Sequence, residues 1–142
     1  MKDSKAYPYL KGRVEDVMIR NPVTVEKGES IASLVELFTS HHYHGVPVVD
    51  SSGRLVGIVR DSEVLSIFAK KGPFAGEYRT VKDIMHVPPL VIGPKKTIQE
   101  AVLKTFKDGT RFLVVVDDSG AILGVITRID LIRGIRWRQD PA

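Results

Sequence analysis

The chain has no cysteine, and that single absence removes disulfide scaffolds, thiolate metal sites and cysteine nucleophiles together. An excess of one charge sign is nearly missing too. Lys plus Arg is 21 against 17 for Asp plus Glu, a net charge of +4. Nucleic-acid modules concentrate far more positive charge than this, so basicity by itself selects no partner. Long apolar runs are also lacking. The longest, Phe112 to Val116, falls far short of the roughly 20 residues a spanning helix needs, and Met1 to Gly12 alternates charged and aromatic residues without the apolar centre of a signal peptide. A soluble, cytoplasmic protein is expected. No phosphate-cradling glycine loop, nucleophile elbow, zinc-protease helix or dinucleotide fingerprint occurs, so neither an enzyme nor any catalytic residue is expected. What remains is ordinary globular material: 142 residues, 43% hydrophobic and 27% charged, enough for one compact domain or two small ones.

Sliding the sequence along itself exposes a repeat at an offset of 67 positions, which carries Val14 onto Val81 without a gap. Asp16, Met18 and Pro22 fall on Asp83, Met85 and Pro89, and Ile31 and Val35 on Ile98 and Val102. Val48-Val49-Asp50, Ser52-Gly53 and Gly57 fall on Val115-Val116-Asp117, Ser119-Gly120 and Gly124. Between these identities hydrophobic character stays in step, as in Val17 with Ile84 and Ile58 with Val125. A unit of about 55 residues is too short to bury a comfortable core alone, so the two units should pack on each other around a pseudo-twofold axis. The boundaries follow: an arm over 1–13, units over 14–68 and 81–137, a linker over 69–80 and a tail over 138–142. Lys70, Lys71, Gly72, Pro73 and Gly76 give the linker its breakers and solvated charges.

Each unit changes periodicity in the same order. A short β-branched strand, Val23 to Val25, follows the turn signal Asn21-Pro22. Ser30 caps a helix whose stripe is Ile31, Leu34, Val35 and Phe38; Thr97 caps its counterpart, with Ile98, Ala101, Val102 and Phe106. Strands Val46 to Val49 and Leu55 to Val59 flank Asp50-Ser51-Ser52-Gly53, whose Asp and Gly suit a tight hairpin. A second helix starts near Asp61 in one unit and Arg128 in the other. The fold class is therefore α/β, strand-helix-strand-strand-helix twice over, with near-continuous apolar strands such as Leu113 to Val116 covered on both sides.

These residues resemble a CBS-domain pair, the regulatory arrangement called a Bateman module. The likeness rests on His44-Gly45-Val46-Pro47-Val48-Val49-Asp50 and Arg111-Phe112-Leu113-Val114-Val115-Val116-Asp117, then Gly57-Ile58-Val59 and Gly124-Val125-Ile126, then Thr127-Arg128-Ile129-Asp130-Leu131. It covers about residues 10 to 137 and leaves no catalytic domain beside it, which implies a stand-alone pair. The resemblance implies a non-catalytic sensor of an adenosine compound (AMP, ADP, ATP or S-adenosylmethionine) held between the repeats. That compound is a regulatory ligand, no cofactor is required, and occupancy is passed to an unknown regulated protein. The signature has a physical rationale: a threonine ending a strand offers its hydroxyl and amide at a helix mouth, where the dipole favours phosphate. An aspartate three residues on can accept both hydroxyls of a ribose. The same two residues would equally make a plain helix cap.

By the resemblance, the Asp130 cleft takes Thr127 and Arg128 from its own repeat and Met18, Val23, His44 and Val46 from the other. Met18 and Val23 would flank the adenine, and Arg128 would reach phosphates. The symmetry-related cleft would use Leu90, Arg111, Arg60 and Glu63. There the pattern breaks. Arg60 replaces the threonine and Glu63 the aspartate, moving the carboxylate by about 1.5 Å, enough to spoil a two-point ribose contact. Unequal clefts are expected, the Asp130 one stronger. The resemblance further implies a homodimer, a flat disc of four repeats, for which Leu65, Ile67, Phe68, Leu131, Ile132 and Ile135 are the candidate surface.

Two other groupings bear on function. His41 and His44 would share a helical face if the helix ran that far, a spacing seen in metal sites, but cations gathering at a helix C-terminus account for the cluster and no metal ligand is assigned. The C-terminal stretch holds Arg128, Arg133, Arg136 and Arg138 with Trp137. It is expected to be a terminal helix, arginine-rich for the dipole, with Trp137 packed on the first strand or on a partner. Its alternative is a nucleic-acid-binding surface of arginines around a stacking ring. A structural interaction module with empty clefts is the third reading.

Overall fold

A computed structural model describes residues 6–69 and 78–139. The expected linker residues Lys70, Lys71, Gly72, Pro73 and Gly76 lie outside them. In chain order the elements are β1 (Ala6–Leu10), α1 (Val14–Val17), β2 (Ile19–Arg20), β3 (Val25–Glu26), α2 (Ile31–His41), β4 (Gly45–Val49), β5 (Leu55–Arg60) and α3 (Asp61–Ala69). A single 3₁₀ turn, Val81–Asp83, leads to β6 (Val91–Ile92), α4 (Ile98–Asp108), β7 (Phe112–Val116), β8 (Ile122–Thr127), α5 (Arg128–Ile132) and β9 (Ile135–Gln139). The expected α/β order appears twice. In each repeat the first strand runs parallel to the second, and the second pairs antiparallel with the third through a hairpin.

The local devices expected from the sequence are in place. The Ser30 side chain accepts from the Ser33 amide, and the Thr97 side chain from the Glu100 amide, while Glu100 reaches back to the Thr97 amide. In the hairpins one carboxylate oxygen of Asp50 accepts from the Ser52 hydroxyl and the Ser52 and Arg54 amides; Asp117 does the same with Ser119 and Ala121. Gly53 and Gly120 complete these turns at φ of 84° and 88°, a region that favours glycine.

Four expectations need correction. The first strand begins at Val25 rather than Val23, because Asn21 sits at φ 51° and Pro22 follows it, holding the chain in a turn. The C-terminal stretch is not a continuing helix. α5 stops at Ile132, Gly134 presses so closely on Ile98 that a side chain there would collide, and β9 then pairs antiparallel with β1, bringing Trp137 opposite Pro8. The α2 helix ends at His41 and His42 adopts the left-handed conformation, so His44 shares no helix face with His41. Of the proposed contact surface, Ile67 and Leu131 are core residues; Leu65, Phe68 and Ile132 are exposed and Ile135 is half-buried.

The two repeats do more than pack: each lends its opening segment to the other. Strand β2 of the first repeat joins the second sheet on the free side of β8, with Ile19 opposite Val125 and Arg20 opposite Gly124. Reciprocally, His86 pairs with Ile58 of the first repeat, its amide donating to the Ile58 carbonyl at 2.7 Å and its carbonyl accepting the Ile58 amide at 3.1 Å. Val14, fully buried, belongs to the core of the second repeat with Ile98, Leu113 and Ile126. Its equivalent Val81, also fully buried, belongs to the core of the first with Leu34, Val48 and Val59. Burying each valine contributes about 1.5–3 kcal/mol. A third cluster of Ile58, Phe112 and Val114 fills the space between the sheets.

The crossing needs glycine at two equivalent places. A Cβ on Gly124 would strike the Ile19 carbonyl, and one on Gly57 would stand 2.9 Å from the His86 carbonyl. Both obstacles are backbone in a hydrogen-bonded pair and cannot swing aside. Gly124→Ala is therefore expected to lower stability by about 1–3 kcal/mol, as overpacking does, seen as a lower urea midpoint at unchanged slope. A midpoint within error of the parent would show that β2 does not bear on β8 this closely.

The hairpins set an acid limit. Hydrogen bonds from the Ser52 hydroxyl and the Arg54 amide hold the Asp50 carboxyl below its ordinary range, and those from the Ser119 hydroxyl and the Ala121 amide do so for Asp117. The unfolded chain then takes up these protons first as pH falls, so the stabilisation is present above the ordinary carboxylate range and is lost below it. Thermal midpoints measured from neutral pH into acid should fall less steeply in Asp50→Asn with Asp117→Asn than in the parent.

Candidate functional site

The crossing creates a cavity of about 280 Å³ between the repeats, near the lower end of the ~300–1,000 Å³ usual for small-molecule sites. One wall is the segment leaving β2: Ile19, Asn21, Pro22 and Val23. The second is the passage from α2 into β4: His42, Tyr43, His44, Gly45, Val46 and Pro47. The third is Phe112 at the start of β7 with Val125 and Thr127 on β8. Left-handed Asn21 and His42 turn the chain sharply at the first two walls, and the alternation of an extended strand puts Val125 and Thr127 on one face. The lining is apolar at its floor, where Val46 is buried, and polar at Thr127 and the imidazoles.

Four of the seven residues expected here meet: Val23, His44, Val46 and Thr127. The other three stand elsewhere. Asp130 lies behind Thr127, its side chain 3% exposed and its carboxylate committed to the two residues that flank α5. One carboxylate oxygen accepts the Thr127 hydroxyl at 2.8 Å and the Thr127 amide at 2.9 Å; the other accepts Arg133 Nη1 at 3.0 Å. Arg128 turns the opposite way, its guanidinium 4.9 Å above the Phe106 ring, beside a separate groove lined by Tyr9, Leu10, Leu131, Ile132 and Ile135. Met18 packs against the second-repeat core and over Gly124. Sequence reasoning missed Ile19, Asn21, Pro22, Tyr43, Pro47, Phe112 and Val125. Asn21-Pro22 was visible as a turn and Val125 followed from alternation with Thr127, but neither signal told which repeat the segment served.

The symmetry-related cleft is smaller, about 170 Å³, and cationic. Arg60 and Arg111 line it with His44, Asp61, Ser62, Gly109, Thr110 and Phe112. Arg60 forms a fork with Glu63, Nε to Oε1 at 2.9 Å and Nη2 to Oε2 at 2.8 Å, while its amide also donates to Oε1. The Glu63 bonds push the Arg60 guanidinium above its ordinary range. Glu63 is thus turned to Arg60 and Leu90 to the core, where its carbonyl accepts the Val114 amide; neither lines the cleft. Between the clefts the Phe112 ring lies on Gly45, its own equivalent under the repeat. His44 borders both, its Nδ1 3.8 Å from Asp61 Oδ2. Among the described residues no group of three His, Asp or Glu side chains is placed to hold a metal ion, and no helix is long and apolar enough to cross a membrane.

Comparison with known proteins adds to this geometry. The model of the CBS domain matches residues 14–70 and 81–136. Inosine-5'-monophosphate dehydrogenase of Nitrosopumilus maritimus is 34% identical over 119 residues; the match takes in 84% of this chain but 23% of that enzyme. An uncharacterized protein of Methanocaldococcus jannaschii is 25% identical over 152 residues, which span 86% of this chain and 90% of that one. Among solved structures, the CBS-pair protein CBSX2 of Arabidopsis thaliana in complex with AMP superposes with a TM-score of 0.75 at 27% identity, covering 87% of this chain and 95% of that one.

The Asp130 network generates a prediction of its own. Asp130→Ala takes the carboxylate acceptor from the Thr127 amide and hydroxyl where β8 meets α5 and is expected to cost about 1–3 kcal/mol in urea unfolding. Thr127→Val, in the same network, should add less to it than its separate effect. Full additivity of the two would dissolve the network.

Proposed function

This chain belongs to the CBS-domain family, with two repeats, and on that premise we propose that it is a non-catalytic regulatory module that senses an adenosine compound in the cavity between them. The observation that carries this reading is the meeting of Val23, His44, Val46 and Thr127, from both repeats, around one cavity in a chain 27% identical to a protein solved with AMP. The chain spans only 23% of the dehydrogenase it resembles, and chemistry is assigned to none of its residues.

Val23 and Val46 form the apolar clamp for the flat base, with Tyr43 and Pro22 at its edges. Thr127 turns its hydroxyl to the ribose side. Asp130 is the residue behind it, orienting that hydroxyl and supplying its own carboxylate to the ribose when Arg133 lets go. His44, which lines the cavity, is the polar ring nearest a phosphate, and Arg111 stands across the neighbouring cleft that His44 also borders. In the second, smaller cleft Glu63 is committed to Arg60 and offers a ribose no contact, so one ligand binds per chain. Signalling runs through a homodimer that covers the exposed Leu65, Phe68 and Ile132, in the cytoplasm, toward a protein whose identity the chain does not encode.

Ligand bound at ~100 times its dissociation constant adds about 2.7 kcal/mol of stability. Calorimetry and thermal shift with AMP, ADP, ATP and S-adenosylmethionine should find at least one such ligand at one site per chain. Val23→Arg, at a position 43% exposed, should fill the cavity and abolish binding with the fold intact. Loss of the Asp130 carboxylate in Asp130→Asn should weaken it at least tenfold. No shift with any of the four at millimolar concentration removes the proposal and leaves a structural module with empty clefts, and full binding by Val23→Arg removes it by placing the ligand outside this cavity.

A further inference from the structure

The ribbon of β1 and β9 takes no part in the cavity. Its register sets Tyr7 opposite Arg138 and Tyr9 opposite Arg136, and opposed residues share a face, so two tyrosines and two arginines stand together on one side. The other side carries Leu10 and Ile135, which line the groove beside α5; Tyr9 borders that groove too, which leaves Tyr7 as the open ring of the outer face. The Arg138 guanidinium lies 4.4 Å over the Tyr9 ring, and Arg136 Nη1 donates to the Arg133 and Ile135 carbonyls, so both cations are held in place on the face. Tyr7 is 43% exposed. Neither strand contains an acid, AYPYL and IRWRQ being their whole sequences.

We infer that this outer face binds single-stranded nucleic acid, with Arg136 and Arg138 on phosphates and the Tyr7 ring stacked on a base. The charge pattern asks for a polyanion. Successive same-face arginines are about 7 Å apart along an extended strand, too few for a condensed charge patch but suited to individual phosphates. Rings interleaved with the arginines select a polyanion that also has flat, unpaired faces to stack, which a duplex and a lipid surface lack. A five-residue ribbon covers only a few nucleotides, so binding is weak and insensitive to sequence.

The full chain is titrated into fluorescein-labelled oligouridylate and oligothymidylate, a duplex of equal length and phosphatidylglycerol vesicles. At about 50 mM salt the single strands should bind with dissociation constants of roughly 1–100 µM, weakening steeply as salt rises. Arg136→Glu with Arg138→Glu should weaken binding more than tenfold and flatten the salt slope by about 0.7 for each phosphate that is no longer neutralised. Tyr7→Ala should weaken it by roughly tenfold, the scale of a single base stack. All these positions are exposed, and thermal melting together with adenosine-ligand titration, which these variants should leave unchanged, verifies the fold and keeps this test separate from that of the cavity. The inference fails if neither oligonucleotide binds, if the charge-reversed variant binds as the parent does, if the duplex binds more tightly than the single strands, or if vesicles bind while oligonucleotides do not.

Discussion

Everything in this fold depends on a backbone carbonyl from one repeat reaching the sheet of the other at a residue without a side chain. Ile19 against Gly124 and His86 against Gly57 are the same contact made twice, related by the repeat. Because each opening segment completes its partner's core through Val14 or Val81, neither repeat holds its full core without the other. That exchange also explains why the cavity exists at all. The chain leaving β2 must travel back from the second repeat to reach β3 in the first, and the bend at Asn21, Pro22 and Val23 walls off the space it leaves.

The pseudo-twofold axis is respected by the backbone and broken by side chains where it counts. Gly45 and Phe112 occupy equivalent positions, and one ring fills a place where two would collide. Thr127 answers to Arg60, Asp130 to Glu63 and His44 to Arg111. Two of these exchanges put an arginine on the lining of the second cleft, and Glu63, outside that lining, holds Arg60 there in a fork where the first cavity has only the Thr127 hydroxyl. One cavity is therefore apolar with a hydroxyl at its end and the other small and cationic, although a single backbone plan built both.

Much of this was legible. The 67-residue offset, the Ser30 and Thr97 caps, the Asp50 and Asp117 hairpins and the inequality of the clefts all follow from residue identity at fixed spacing. What was not legible is which repeat a short segment pairs with, since an offset states equivalence and not contact. α1 has four residues and β2 two, too few for any periodicity to register. The direction of Arg128 was hidden because Phe106, the ring it covers, belongs to another helix, α4. The burial of Asp130 was hidden because Arg133 lies beyond the motif that named it. For β9 the alternation in Ile135-Arg136-Trp137-Arg138 was present, but its partner strand stands at the far end of the chain.

The same exchange bears on how occupancy of the cavity would be transmitted. A ligand between Val23, Val46 and Thr127 touches the returning segment, the first-repeat sheet and the last strand of the second at once. Any difference in its affinity between two arrangements would bear on how the repeats sit together, because both contribute to the lining. Thr127 caps α5, whose exposed Ile129 and Ile132 lie on the outside of the molecule, and the Thr127–Asp130–Arg133 chain of hydrogen bonds runs from the cavity wall to the turn that enters β9. A group that competed for the Asp130 carboxylate would free the Arg133 side chain, while the backbone bonds from Arg133 and Gly134 to Asp130 and Leu131 would still hold the turn into β9. The cap that hides the carboxylate thus reaches from a residue of the cavity wall, Thr127, to an exposed arginine, Arg133.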